Sequence, residues 1–250
     1  DVASLEITWK FQDVSRAPSN LNIENITIAN VVAGTSDTIA PTVSNGTISS
    51  SNVSATGVKL DWMKATDNAT AQGDLEYCVY QSSGNNINTV SNIEANGTAL
   101  GSGFSKDIAT FNITGLSPST TYYFNVIVKD AAGNKSAYTT KQVTTVSNNA
   151  NLSNLTISSG TLLPAFSSGV TSYKSTVPNE VSSIKITPTV ADSLSNLTVN
   201  GARVASSVGS NIPLNVGSNI IATIVEAQDG TKKTYTITVT RAASSNADLS

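Results

Sequence analysis

Apolar and polar residues alternate along most of this chain, and no window shows the spacing of an amphipathic helix. Alternation places successive side chains on opposite faces of a strand, so that one face can pack while the other meets water. Strands are predicted at residues 5–11, 23–28, 46–50, 58–63, 75–81, 109–114, 122–129 and 141–146. Short strands separated by turns rich in Asp, Asn and Gly are typical of a β-sandwich, so the predicted fold class is all-β.

A short motif near the middle of the chain returns at its end. Residues 149–153 read Asn-Ala-Asn-Leu-Ser, and residues 246–250 read Asn-Ala-Asp-Leu-Ser, 97 positions later. A period of domain size indicates an array of modules. We therefore expect a segment of a longer protein in which residues 243–250 begin a further repeat.

The composition excludes several classes of partner. Charged residues make up 12% of the chain and the formal net charge is −3, with no basic run. Nucleic acid and anionic membrane surfaces are therefore not expected as partners. No stretch approaches the ~20 apolar residues of a membrane span. This composition predicts an extracellular or cell-surface protein.

The reactive side chains are equally restricted. The chain has no His, which removes Ser–His–Asp and Cys–His triads and the commonest zinc ligand. No pair of carboxylates follows a glycosidase pattern, and no phosphate-binding Gly-rich loop is present. The single cysteine, Cys78, cannot form a disulfide within the chain, and alternation places it on the opposite strand face from Tyr77 and Val79. We predict no catalytic residue and no organic cofactor.

Residues 37–146 resemble a fibronectin type III domain of the bacterial kind. The resemblance rests on Leu60-x-Trp62, on Tyr77-x-Val79, and on the run 116–122, Leu-Ser-Pro-Ser-Thr-Thr-Tyr. In that family the tyrosine of the last motif forms a corner, in which its hydroxyl bonds a nearby backbone group. The resemblance implies that Trp62 and Tyr77 are core aromatics and that Tyr122 is the corner tyrosine.

Residues 147–242 are similar to the bacterial cadherin-like β-sandwich domain. The motifs are Leu152-x-x-Leu155-x-Ile157-x-x-Gly160 and the closing run 229–239, in which Tyr235, Ile237 and Val239 face one way. Asp229-Gly230 is a two-residue hairpin signal that would deliver the last strand. Together the resemblances imply tandem immunoglobulin-like β-sandwiches in an elongated array.

Residues 1–36 contain only two predicted strands, which cannot bury a core alone. They look like the closing strands of a cohesin-type domain, so this segment is expected to be a partial β domain. It would pack on the next domain, on preceding chain or on another molecule.

Five oxygen-bearing side chains should meet at one pole of the fibronectin-type unit. Asp37 precedes its first strand, Asp67 and Asn68 lie in the loop after the second strand, and Asp130 and Asn134 flank a later turn. Oxygen ligands from separate loops could hold Ca²⁺. The alternative is that these residues only make turns.

Three functions are compatible with this organisation. The leading hypothesis is a set of non-catalytic spacer, stalk or interaction modules in a large secreted or cell-surface bacterial protein, partnered by neighbouring domains. The second is a set of accessory modules of a polysaccharide-degrading enzyme. The third is a surface-layer (S-layer) or fibre subunit that assembles with other copies by strand addition.

Binding of cell-wall polysaccharide is a further possibility for the partner. It would need exposed aromatic side chains, for which the outward-facing candidates are Tyr80, Tyr123 and Tyr138.

Overall fold

The computed structural model describes residues 37–244, which contain seventeen strands and one α-helix. The first nine strands are β1 (Ile48–Ser51), β2 (Gly57–Trp62), β3 (Glu76–Ser82), β4 (Thr98–Ala99), β5 (Ser105–Lys106), β6 (Thr110–Thr114), β7 (Thr121–Lys129), β8 (Lys135–Ala137) and β9 (Lys141–Thr144). Helix α1 (Val90–Asn96) lies between β3 and β4, and a 3₁₀ turn (Gln72–Asp74) precedes β3. The other strands are β10 (Leu152–Ile157), β11 (Ser172–Val177), β12 (Ser183–Val190), β13 (Asn196–Val199), β14 (Ala202–Arg203), β15 (Ser210–Pro213), β16 (Gly217–Glu226) and β17 (Lys232–Arg241).

Strands β1–β9 form the first sandwich. One sheet has the order β1-β2-β6, and the other has the order β4-β3-β7-β8, with β9 also paired to β7 and β5 to β3. Every pairing in these two sheets is antiparallel. This is a sandwich of immunoglobulin type, in which the chain crosses between the two sheets after β2, β5 and β6.

The core of the first sandwich follows the predicted alternation. Leu60 and Trp62 from one sheet pack with Tyr77, Val79 and Phe124 from the other. At the crossing between the sheets, the Ser117 N–H donates to the Tyr122 hydroxyl at 2.9 Å. The structure thus has the corner geometry that the family resemblance implies.

Helix α1 is an element that no helical spacing in the sequence predicts. The segment 83–104 forms a cover over the outer face of β3 and β7, where Ile87 and Ile93 are buried against Ile127. Cys78 is paired in register with Ile127 and is 1% exposed. It therefore lies on the opposite face of β3 from Tyr77 and Val79, as alternation predicts.

Strands β10–β17 form the second sandwich. Its sheets have the orders β10-β12-β15 and β11-β17-β16-β13-β14. Strand β11 runs parallel to β17, whereas the remaining pairs are antiparallel. Tyr235, Ile237 and Val239 on β17 are fully buried, as their alternation predicts. The predicted fold class, all-β with tandem sandwiches, is confirmed.

The hairpin before β17 differs from its prediction. Glu226 pairs with Lys232, so five residues rather than two connect β16 and β17. A two-residue connection occurs instead at Asn200-Gly201, where Val199 pairs with Ala202. Both of its residues have positive φ, 46° and 81°, which a turn of type I′ requires.

Two predictions concern segments outside the described part of the chain. Residues 1–36 lie wholly outside it, and residues 243–250 lie mostly outside it. Neither the cohesin-like resemblance nor the start of a further repeat is addressed by the structure. Within residues 37–244, no helix has the length and apolar character needed to cross a membrane.

Candidate metal centre

Three aspartates meet at one end of the first sandwich. One carboxylate oxygen each from Asp37, Asp67 and Asp130 lies within 4.8 Å of the others. Asp37 belongs to the segment that leads into the sandwich, Asp67 to the loop after β2, and Asp130 to the turn after β7. We call this end, formed by residues 37–41, 65–70 and 130–134, the acidic pole.

Each of two loops fixes its own aspartate by local hydrogen bonds. Asp67 Oδ2 accepts the N–H groups of Ala69 at 3.0 Å and Thr70 at 2.8 Å. Asp130 Oδ1 accepts the Asn134 N–H at 2.8 Å across a turn that includes Gly133 at a φ of 97°. Such turns are favoured where an Asx side chain bonds backbone ahead of it and glycine supplies a positive φ.

The two asparagines of the predicted site lie at the acidic pole as well. Asn68 Nδ2 donates to Asp37 Oδ1 at 3.2 Å. Asn134 Nδ2 donates to the Asp37 carbonyl at 3.0 Å and to Asp130 Oδ2 at 2.7 Å. The structure therefore brings all five residues together, but the asparagines present N–H groups and position Asp37 rather than offering oxygens.

Two of the carboxylate oxygens are buried without a partner. Asp37 Oδ2 and Asp67 Oδ1 are shielded from solvent and have no hydrogen bond. Their second oxygens carry the hydrogen bonds described above, so the free oxygens point away from those donors. A buried acceptor that lacks a partner costs about 1–3 kcal/mol, and more when it is charged. Two residues of the three-aspartate cluster thus each carry a buried acceptor without a partner.

The charges at the acidic pole are also uncompensated. The ion pairs formed within residues 37–244 use other carboxylates, such as Asp74 with Lys106 and Glu76 with Lys129. Two unit charges about 5 Å apart repel by about 3 kcal/mol at an effective dielectric constant of about 20. A bound cation would turn this repulsion into attraction.

Asp130 stays ionised in spite of its burial. Its side chain is 2% exposed, and this desolvation opposes the charged form. Hydrogen bonds from the side chain and backbone of Asn134, and from the N–H groups of Gly133 and Ala132, outweigh it and hold the pKa of Asp130 below its usual value. The buried carboxylate is therefore available as an anionic ligand.

The donor set fits Ca²⁺. Calcium takes carboxylate and carbonyl oxygens at about 2.3–2.6 Å, so two ligands on opposite sides of the ion stand about 5 Å apart. The 4.8 Å limit on the distances between the three carboxylate oxygens satisfies this condition. His and Cys ligands, which zinc and copper prefer, do not lie in the cluster.

The core aromatics Trp62 and Tyr77 lie next to the loop that contains Asp67. Trp62 and Tyr77 lie with ring centroids 6.2 Å apart, and the Tyr77 hydroxyl accepts the Ala65 N–H at 2.9 Å. Ala65 starts the turn that contains Asp67, so this hydrogen bond fixes the start of the turn to the core. Tyr138, predicted to face outward, is 2% exposed because its hydroxyl donates to the Met63 carbonyl at 2.5 Å.

Sequence reasoning missed one residue of the acidic pole. Thr70 is 8% exposed, and its Oγ1 accepts the Ala131 N–H at 3.1 Å. This bond ties the loop of Asp67 to the turn of Asp130 across 61 residues of sequence. A threonine in a loop carries no signal of such a contact, so only the folded loops show it.

Comparison with known proteins identifies the second sandwich. Residues 152–242 match the family model of the cadherin-like beta sandwich domain. A solved structure of Clostridium thermocellum CbhA fibronectin(III)-like modules aligns over 78% of this chain and 95% of that chain, at 12% identity. Its TM-score of 0.33 is too low to carry an argument.

Three curated proteins share part of this sequence. A protein of Evansella cellulosilytica named "Putative membrane protein" is 44% identical over 38% of this chain and 14% of its own length. Chitinase Chi52 of Paenibacillus xylanexedens is 39% identical over 46% of this chain and 18% of its own length. Endoglucanase B of Cellulomonas fimi is 40% identical over 40% of this chain and 8% of its own length.

The matches cover less than a fifth of the length of each relative. The first sandwich has the two-sheet order and tyrosine corner described above. Residues 152–242 therefore match the cadherin-like beta sandwich domain, and a sandwich of immunoglobulin type with a tyrosine corner precedes them.

Proposed function

We propose that residues 37–242 are non-catalytic accessory modules of a secreted, polysaccharide-degrading enzyme, in which they act as a stiff spacer. The relatives named for chitinase and endoglucanase activity support this hypothesis over a stalk in a surface protein without catalysis. The mechanical role is the same in both cases. The partners are then the neighbouring domains of one polypeptide, outside the cell.

The junction between the sandwiches is the observation that carries the proposal. Ser147 is 4% exposed. Its N–H donates to Gln228 Oε1 at 3.1 Å, and its carbonyl accepts the Asp229 N–H at 3.1 Å. One residue earlier, the Val146 N–H donates to the Ser54 carbonyl of the first sandwich at 3.2 Å. Consecutive residues are thus bonded to different sandwiches, which leaves no free linker between them.

Each sandwich also receives and releases the chain at opposite ends. The first is approached at the acidic pole, while Val146 leaves beside Ser54, in the turn after β1. In the second, Asn151 bonds the Ala191 N–H near the start of β17, whereas Ala242 bonds the Val177 carbonyl at the far end of that strand. Modules connected in this way add their lengths, as a spacer requires.

Two spin labels would test the stiffness of this junction. Ala99 on β4 and Ala202 on β14 are exposed, so cysteines can be placed there in a Cys78→Ala background. Electron–electron double resonance on the full chain is expected to give one narrow distance distribution. Gln228→Ala should broaden it, because it removes the acceptor of a buried N–H, at a cost of about 1–3 kcal/mol.

Gln142→Ala is the matched control, since Gln142 is exposed on β9 and removed from the junction. A broad distribution in the parent chain would contradict the stiff spacer. The enzymatic context has a separate test, which is the coding sequence on both sides of this segment. A surface anchor without a catalytic domain in the same reading frame would contradict it.

The described residues provide no platform for polysaccharide binding. Their strongly exposed large apolar side chains are all aliphatic: Ile39, Met63, Leu163, Leu194, Val208, Val216 and Ile220. Tyr80 and Tyr123 are half-buried against residues 83–104, which cover β3 and β7. The comparisons also offer no support for a surface layer or fibre, so we do not extend the proposal to either.

We further propose that the acidic pole binds one Ca²⁺ through Asp37, Asp67 and Asp130. The two buried carboxylate oxygens without partners support this proposal most directly. Isothermal titration calorimetry of the full chain should show one Ca²⁺ site, and Asp67→Asn should abolish it. A titration with no heat beyond dilution would contradict the proposal.

A further inference from the structure

The three aspartates of the acidic pole are not held equally. Asp67 and Asp130 are each anchored by backbone N–H groups of their own turns, at 2.8–3.0 Å. The Asp37 carboxylate accepts one N–H from Ile39 at 3.1 Å and one from the Asn68 side chain at 3.2 Å. Both of these bonds are longer, and both lie at exposed positions. Asp37 is therefore the ligand that mutual repulsion would displace first.

The segment that carries Asp37 has few other attachments. We call residues 37–41 the lead-in segment. Its Ile39 side chain is 60% exposed, and only Pro41 at its end is buried. Its other bonds to the sandwich come from Asn134 Nδ2, which donates to the Asp37 carbonyl at 3.0 Å and to the Ile39 carbonyl at 3.5 Å. Beyond it, the Thr42 and Thr66 backbones exchange N–H···O bonds of 2.7 and 3.0 Å, which join the chain firmly to the sandwich. Residues 37–40 can thus detach without breaking any strand pairing, at the loss of the Asn134 bonds.

We infer that Ca²⁺ is a latch that fixes the lead-in segment to the sandwich, an inference that rests on the proposed calcium site. With the ion bound, Asp37 is attracted to the same centre as Asp67 and Asp130. Without it, three negative charges meet and the least anchored of them departs. Calcium then controls whether the lead-in segment itself is fixed to the first sandwich or free.

The geometry favours a latch over a ligand-bridging calcium. Asp37 Oδ2 and Asp67 Oδ1 are shielded from solvent, and Asp130 is 2% exposed. An ion held between these oxygens would be coordinated from three separate segments of this one chain. Its coordination would join the three segments that carry Asp37, Asp67 and Asp130.

Hydrogen–deuterium exchange of the full chain would test the latch. At free Ca²⁺ about 100 times its dissociation constant, an opening that breaks the site becomes about 100-fold rarer. The Ile39 amide, which donates to Asp37 Oδ1, should therefore exchange about 100-fold more slowly than in chelator. Amides of β17 serve as an internal reference and should not change.

Two variants complete the experiment. Asp37→Asn should lose most of the calcium-dependent protection of residues 38–41, whereas Asp74→Asn, at an exposed residue paired with Lys106, should keep it. If calorimetry shows Ca²⁺ binding but only residues 67–70 and 130–134 gain protection, the latch is overturned while the calcium site stands. If calorimetry shows no binding, both are overturned.

Discussion

Saturating Ca²⁺ is expected to raise the thermal unfolding midpoint of the first sandwich by about 10–20 °C. A ligand at 100 times its dissociation constant adds about 2.7 kcal/mol to the stability of the state that binds it. For a domain of about 100 residues, each kcal/mol shifts the midpoint by about 4–8 °C. Differential scanning calorimetry of the full chain in Ca²⁺ and in chelator measures this shift directly.

The variant Asp67→Asn separates calcium binding from ordinary turn formation. The Asn side-chain oxygen can still accept the Ala69 and Thr70 N–H groups that Asp67 Oδ2 binds. The variant should therefore lose the calcium shift, yet in chelator it should be at least as stable as the parent, because one repelling charge is gone. A large loss of stability in chelator would instead mean that Asp67 serves only the turn.

Two controls make the calcium result specific. Asp74→Asn alters an exposed aspartate near the same pole and should leave the shift intact. Mg²⁺ at equal concentration should give a smaller shift, because it requires octahedral geometry at about 2.0–2.1 Å and gives up its waters reluctantly. Equal midpoints in Ca²⁺ and chelator would contradict the proposed site.

The strands were predictable because their signal is local. Six predicted strands of the first sandwich overlap β1, β2, β3, β6, β7 and β9, since alternation within five or six residues already determines a buried face. Helix α1 has seven residues, which is about two turns and too short for a periodic stripe. The Thr89 side chain caps its first turn, a signal that any Thr in a loop would imitate.

The acidic pole was predictable only through the family resemblance. Asp37, Asp67 and Asp130 are far apart in sequence, and strand topology, not spacing, brings their loops together. The roles of Asn68 and Asn134 could not be predicted, because an amide can present either its oxygen or its N–H groups. That choice depends on the neighbours of each amide, here the Asp37 carboxylate and carbonyl.

The prediction that Tyr138 faces outward was wrong, because a side chain near the end of a strand does not follow the alternation of that strand. Tyr138 follows β8, where the regular alternation of the strand has ended. Its hydroxyl reaches the Met63 carbonyl, 75 residues away, and the ring is drawn against Trp62 with centroids 6.5 Å apart. Periodicity holds only inside a strand, so a residue just beyond one is placed by long-range contacts that no local pattern reports.

Replacing Tyr235 with Phe should have the largest effect on the second sandwich, a loss of about 1–3 kcal/mol in the free energy of unfolding. The Tyr235 side chain is 0% exposed. Its hydroxyl accepts the Leu152 N–H at 3.0 Å and donates to the Ser168 carbonyl at 2.9 Å. Phe keeps the ring but leaves the buried Leu152 N–H without an acceptor, which costs about 1–3 kcal/mol. The Ser168 carbonyl still accepts from Lys233 Nζ at 2.7 Å.

The Leu152 N–H makes the larger part of this cost, because Leu152 is also 0% exposed and water cannot replace the lost acceptor. Urea unfolding followed by circular dichroism should show a lower midpoint for the unfolding of the second sandwich. The slope of that transition should not change, because the fold and its buried area remain. Tyr123→Phe, at a half-buried ring of the first sandwich, is the matched control and should leave that transition in place. If Tyr235→Phe changes stability by less than about 0.5 kcal/mol, the range of ordinary surface substitutions, then the hydroxyl does not join β10 to β17 and the role given to it is wrong.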